Sequence, residues 1–220
     1  MDWSAPVDLY CERLGPSFWA EPVNAVTNAS FLIAAGAAFH LWRRHGRGDR
    51  PVLVLIAVTF SIGIGSFIFH TVATRGAALF DTVPIAVFIY GFLWLALRRF
   101  LGLSAPAAPA LVIAFGLLSY AVGLLVPRGA LNGSHAYLPA LAALLIVGWL
   151  AEAPATRRRL LSAAAVFAVS IVLRSIDQTV CHAFPLGTHF LWHGLNGLVL
   201  YLLLRAALAA DRRSVIPTGR

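Results

Sequence analysis

Seven stretches of about 20 mostly apolar residues, joined by loops too short to hold a soluble domain, leave this chain few ways to fold. They cover approximately 22–42, 51–69, 79–97, 107–126, 134–151, 159–176 and 189–209. Each is long enough to cross a bilayer as a helix, and lipid tolerates only structures that satisfy their own backbone polar groups. Charged residues make up 12% of the chain, against about 25% in a soluble domain, so no polar surface can cover these runs. The expected fold is an all-α membrane protein, a seven-transmembrane helix bundle forming one membrane domain over 22–210. A polar acidic leader, 1–21, precedes it and a basic tail, 211–220, follows. The fourth to sixth runs are mainly Leu, Ala and Val and read as scaffold. The sixth reads as short, with only 160–173 between Arg159 and Arg174, whose long side chains would reach for the interfaces. The N-terminus lacks a basic region ahead of an apolar run, so no cleavable signal peptide is expected.

All 17 basic residues are arginines, against nine acids, for a net charge of +8. Such a charge could suggest nucleic acid, but its distribution follows alternate loops and points to membrane topology instead. Arg43, Arg44, Arg47 and Arg50 flank the first loop, Arg98 and Arg99 the third, and Arg157, Arg158 and Arg159 the fifth. Arg212, Arg213 and Arg220 fill the tail. The opposite side carries the acidic leader, Arg75, Arg128 and the loop 174–188. Positive-inside then places the N-terminus outside and the C-terminus inside.

Chemistry concentrates in a few places. His189 and His193 are four residues apart, on one helical face, and can grip one metal ion from a single helix. No Glu lies between them, so a general base must come from elsewhere. Ser66 and His70 repeat that spacing at the end of the second run, beside Gly63 and Gly65, which permit close helix approach. Asp81 opens the third run, at the edge of the hydrocarbon, where an acid is costly and usually functional. Asn24 and Asn28 share a face of the first run and need partners in lipid. Asp177 is three residues from Arg174 and is expected to pair with it. His40, His45, His135 and His182 sit at run ends or in loops, with no role assigned. The topology, drawn from arginines alone, puts Ser66, His70, Asp81, His189 and His193 at one depth on the outer side. Three histidines with a fourth position open is a catalytic zinc arrangement.

Ser66-x-x-x-His70, Asp81 and His189-x-x-x-His193 on seven runs resemble the alkaline ceramidases, within a wider hydrolase group that includes the progestin and adiponectin receptor-like proteins. Cys11-Glu12, Glu21-x-x-Asn24-x-x-Thr27-Asn28 and Asp177-x-x-x-Cys181 resemble the ceramidase branch in particular, and the likeness covers nearly the whole chain. It implies a zinc amidase that cleaves ceramide to a sphingoid base and a fatty acid, often with calcium near the N-terminus. The chain departs from the family around that calcium site. Its leader reads Asp8-Leu9-Tyr10-Cys11-Glu12, one residue longer than the family pattern and without its Trp, and Leu14 stands where an Asn is expected. The segment from Glu12 to Glu21 is also shorter. Compact size and a lysine-free basic composition look more like a bacterial member, which implies the bacterial cytoplasmic membrane.

The resemblance therefore implies Zn²⁺ held by His70, His189 and His193, Asp81 as general acid and base, and Ser66 as donor to the developing oxyanion. The substrate would be a ceramide-like N-acyl lipid taken from the membrane, with no nucleic acid and no obligate protein partner. Ca²⁺ carries over only through Asp8, Glu12 and Glu21, three carboxylates toward the six to eight oxygens it takes. Cys11 and Cys181, the two cysteines of the chain, both fall on the outer side and are expected to form a disulfide. A zinc-bearing receptor of the adiponectin type remains an alternative, although those relatives are inverted in the membrane. So does an intramembrane His/Asp relay or transporter, although its polar groups would belong at mid-membrane.

Overall fold

A computed structural model describes residues 2–127 and 129–211, and they form helices without a strand among them. Arg128, Arg212, Arg213 and Arg220, which entered the topology expectation, lie outside the described residues, as does nearly all of the expected tail. Seven helical segments are long and apolar enough to cross a membrane, which makes the chain a multi-pass integral membrane protein. The first span combines α1, Pro22–Thr27, with α2, Ala29–His45. Pro22 occupies the first turn of α1, where its missing N–H costs nothing. The second span is α3, Arg50–Val72, started by Pro51 and by the Asp49 carboxylate, which accepts from the Val52 N–H. Ala73, at φ 46°, ends it in the left-handed region. Thr74 then caps α4, Arg75–Arg99, by accepting from the Ala77 N–H at 3.2 Å.

The remaining spans are α5, Ala107–Leu125; a 3₁₀ segment, Ala130–Tyr137, continued by α6, Leu138–Leu150; α7, Pro154–Val180; and α8, His189–Asp211. The fifth span thus starts earlier than its apolar run, through a kink with positive φ at Leu131, Asn132 and Gly133. The sixth is not short. It is a 27-residue helix that continues past both Arg159 and Arg174, because arginine is a good helix former and does not end a helix as it ends a hydrophobic run. Nor does Arg174 need to reach for the interface. Its guanidinium donates to the Asn132 carbonyl at 2.8 Å, the Ser134 hydroxyl at 3.0 Å and the Tyr10 hydroxyl at 3.2 Å.

The bundle is built around α3 and α8. Half of the apolar window of each is buried, against 11% for α5, whose Leu117, Leu118, Leu124 and Leu125 face outward as lipid-contacting residues should. Around that pair, α3 packs on α4 and α2, α8 on α2 and α7, and α7 on α6. One end of the bundle is tied by Arg99, which grips the Asp49 carboxylate at 2.6 and 2.9 Å and donates to the Ala207 carbonyl at 3.0 Å. The loop after α2, the end of α4 and the end of α8 therefore share one end, as the alternate-loop pattern of arginines requires. The leader and the chemistry-bearing residues occupy the other end.

Candidate metal centre

Helix direction places the three histidines. His70 lies in the last turn of α3, while His189 and His193 fill the first turns of α8. All three are buried, at 1–2% exposure, and each offers a ring nitrogen within 4.8 Å of the others. A buried imidazole nitrogen without a partner is costly, yet three stand unpartnered here: Nε2 of His70, Nε2 of His193 and Nδ1 of His189.

The opposite nitrogens explain the arrangement. Glu21 Oε2 lies 2.6 Å from His70 Nδ1, and a carboxylate can only accept, so that nitrogen carries the proton and Nε2 keeps its lone pair. Thr27 uses its single hydroxyl proton on the carbonyls of Val23 and Asn24, so its oxygen accepts from His193 Nδ1 at 2.9 Å. This again frees Nε2. His189 is held differently: the Tyr10 ring stacks on it at 3.5 Å and 13°. Unpartnered buried lone pairs converging from two helices, each ring fixed by a neighbour behind it, are the donor set that a divalent transition metal requires.

Asp81 and Ser66 join this group through one glycine. A Cβ on Gly65 would run into the backbone carbonyl of Phe80, so only glycine lets α3 and α4 meet there. Ser66 and Asp81 are the next residues on the two helices. The Asp81 carboxylate consequently lies beside the Ser66 hydroxyl and within electrostatic reach of His70 and Arg174. All five residues that the sequence assigned to one depth, on segments far apart in the chain, meet at one end of the bundle.

Asp177 does not pair with Arg174. Fully buried at the end of α7, it accepts from the N–H groups of Thr188 at 2.6 Å, His189 at 2.9 Å and Cys11 at 3.0 Å. It thereby caps α8 and fastens the leader, a demand stronger than an ion pair because those N–H groups have no helical partner of their own. Gly187 makes room for it: φ is 63°, and a Cβ would meet the Asp177 carboxylate and approach Cys11 Cβ to 2.8 Å. Arg174 instead sits among the rings of Tyr10, Tyr137 and Trp192, at 5.8, 5.5 and 5.5 Å. The disulfide expected between Cys11 and Cys181 is present.

Asp8, Glu12 and Glu21 are not gathered into the expected calcium site. Among the described residues the histidine triad is the one group of three metal-capable side chains. Asp8 is exposed. Glu12 spends both oxygens on the N–H groups of Val23, at 2.6 Å, and Asn24, at 2.8 Å, which start α1. Glu21 is engaged by Arg13, His70 and Asn24. Burial alone would raise the Glu21 carboxyl, but the hydrogen bonds from His70 and Arg13 and the charge of Arg13 prevail and hold it below its ordinary pKa. Burial pushes the Tyr10 phenol up, against the opposing charge of Arg174. Asn24 and Asn28 are buried inside the bundle and their amide nitrogens find partners, Asn24 donating to Glu21 at 3.1 Å and Asn28 to the Asn24 carbonyl at 2.9 Å, while their side-chain oxygens have none among the described residues.

An apolar cavity lies between the helices, partly open to the surroundings. It is lined by residues such as Ile62, Phe88, Phe92 and Phe167, and along α8 from Trp192 to Leu203. Phe31 lines it too and packs edge-on against His193 at 6.2 Å, so a phenyl ring stands between the cavity and the triad.

The class is thereby defined: a multi-pass helical membrane protein with a buried histidine triad able to hold a metal ion, and an apolar cavity between its helices. The Ceramidase family model matches residues 10–212, and the chain belongs to that family, a ceramidase-like hydrolase acting on amide bonds. None of the curated proteins matches it.

Proposed function

We propose that this chain is a zinc-dependent membrane amidase that cleaves the N-acyl bond of ceramide or a ceramide-like lipid, releasing a sphingoid base or amine lipid and a fatty acid. The observation that carries this reading is the set of three buried, unpartnered imidazole nitrogens that converge from α3 and α8. His70, His189 and His193 would hold the ion. When bound there, zinc supplies Lewis acidity toward the amide carbonyl and lets water ionise near neutral pH. Asp81 takes the proton from the attacking water and returns it to the amine nitrogen as the C–N bond breaks. The Ser66 hydroxyl donates to the oxyanion that develops on the carbonyl, a contribution of about 3 kcal/mol. The cavity takes the hydrocarbon chain, which needs no polar partner and is driven in by the same burial that keeps the substrate in the bilayer.

The arginine pattern supports an outward-facing site with the N-terminus outside, and the Cys11–Cys181 disulfide at that end suits an oxidising compartment. The test combines zinc stoichiometry on purified protein with hydrolysis of a fluorescent N-acyl sphingoid base in membranes. About one zinc per chain and zinc-dependent release of the fatty acid are expected. Protein that binds no zinc, or that hydrolyses after the metal is stripped, would reject the reading.

A further inference from the structure

Arg13 is a lone base in an acidic leader, and it is buried at 7% exposure. Its guanidinium engages three separate pieces of the chain. Nε pairs with Glu21 Oε1, one terminal nitrogen donates to the Gly15 carbonyl at 3.0 Å, and the other donates to the His70 carbonyl at 2.8 Å. That last acceptor is one of the carbonyls left over at the end of α3, where a cation is favoured. Glu21, 2% exposed, turns its second oxygen to His70 Nδ1. The same guanidinium therefore binds the backbone of His70 and the carboxylate that orients the His70 ring. Without a paired cation, a carboxylate buried this deeply would be costly to keep. Three oxygens, from Glu21, Gly15 and His70, thus surround the one guanidinium.

We propose that Arg13 is a positioning residue of the metal centre: a built-in cation that holds Glu21 on His70 and makes a divalent cation unnecessary at this place. The proposal rests on the zinc reading of the triad. A planar fork with five donors can meet a carboxylate and two carbonyls at once, whereas a lysine ammonium is a point donor on a flexible stem. Arg13 acts through Glu21, so its effect should be lost when Glu21 no longer carries charge.

The test is zinc affinity, read by competition with a chromophoric chelator, in the full-length protein in detergent. Arg13→Ala is expected to weaken zinc binding about 10–100-fold, the usual cost of removing support from behind a ligand. Arg13→Lys should fall between it and the unaltered protein. Low-millimolar guanidinium should restore part of the affinity to Arg13→Ala and do nothing for Arg13→Lys. In a background of Glu21→Gln, which weakens binding by itself, Arg13→Ala should add little. Added calcium should leave the zinc affinity and the melting temperature of the unaltered protein unchanged. Unaltered zinc affinity in Arg13→Ala, full additivity with Glu21→Gln, or a calcium-dependent gain in the unaltered protein would each overturn the proposal while leaving the zinc reading in place. An Arg13→Ala protein that loses affinity with no response to guanidinium, together with a lowered melting temperature, would reduce Arg13 to a fold contact and overturn it as well. Absence of zinc from the unaltered protein is the separate outcome that removes the reading underneath.

Discussion

Asp177 offers a direct test of how the α8 histidines are positioned, because a side chain with no contact to the metal holds the start of their helix. Its two oxygens receive three backbone N–H groups, those of Thr188, His189 and Cys11, at 2.6–3.0 Å in a fully buried setting. Asp177→Ala strands all three. A hydrogen bond to a charged group contributes about 1.5–3 kcal/mol and an unpaired buried donor costs about 1–3 kcal/mol, so the loss should reach about 4 kcal/mol even with partial relaxation. Asp177→Asn is more discriminating. Its carbonyl oxygen can still serve Thr188 and His189, as Oδ1 does, but its NH₂ would face the Cys11 N–H, donor against donor. One bond and the charge are lost, about 2 kcal/mol. For a chain of this size that corresponds to a melting temperature lowered by about 4–8 °C for Asn and about twice that for Ala. Thermal unfolding in detergent, with the disulfide intact in all samples, reads the order. Zinc affinity should follow it, since the backbone of His189 is among the groups released. Asn as damaging as Ala would show that charge matters more than the count of N–H groups served. Two harmless variants would refute the capping role altogether.

Three further outcomes are expected. Asp81→Asn should keep its zinc and lose about 10²–10⁴-fold in hydrolysis, the range of acid–base catalysis, while His193→Ala should lose metal and activity together; zinc analysis beside single-turnover hydrolysis separates the two. Gly65→Ala forces α3 and α4 apart at Phe80, with a stability cost of about 1–3 kcal/mol and a proportionally larger loss of activity, because Ser66 and Asp81 flank that contact. Cys11 and Cys181 should resist alkylation until reductant is added, as mass spectrometry under non-reducing conditions will show.

The spans and the triad were legible in the sequence because both depend on short-range regularities. Hydrophobic runs give spans, i,i+4 spacing puts His189 and His193 on one face, and alternating loop charge gives each run a direction. Together these predict that His70 and Asp81 share a layer with His189, without any knowledge of packing. The residues behind the ligands were not legible, because their contacts bridge distant sequence. Glu21 meets His70 across 49 residues and Cys11 meets Asp177 across 166. Local spacing even misdirected the reading. Arg174 and Asp177, three apart on a helix, suggest an ion pair, but the bare N–H groups at the start of α8 outcompete the guanidinium. The calcium expectation draws no support from the structure for a related reason: three acids close in sequence look like one site, while helix capping engages Glu12, Arg13 and His70 engage Glu21, and Asp8 is exposed. A lone arginine among acids, next to a glutamate at the mouth of a membrane span, was the available signal for Arg13.

Each ligand ring is fixed by a residue from the same short stretch, 10–27: Tyr10 stacks on His189, Glu21 binds His70, and Thr27 binds His193. The leader and the turn that follows it therefore form the layer behind the triad of the zinc site proposed above. Linkage then demands reciprocity: if a docked leader tightens the metal, the metal must hold the leader docked by the same free energy. With each supporting contact contributing about tenfold or more in metal affinity, the coupling is about 1.4 kcal/mol per contact. Hydrogen exchange provides the readout, because it follows local opening. Removing zinc should speed amide exchange in 10–21 by about tenfold or more. The effect should spare the lipid-facing α5, which touches none of these groups, and should persist with the disulfide closed, because that bond restrains the ends of the contact and leaves the stacking and hydrogen bonds free to open. Exchange in 10–21 that is indifferent to zinc would mean that the leader docks through the disulfide and the Asp177 bond alone, and that the three ring contacts carry no share of the metal's binding energy.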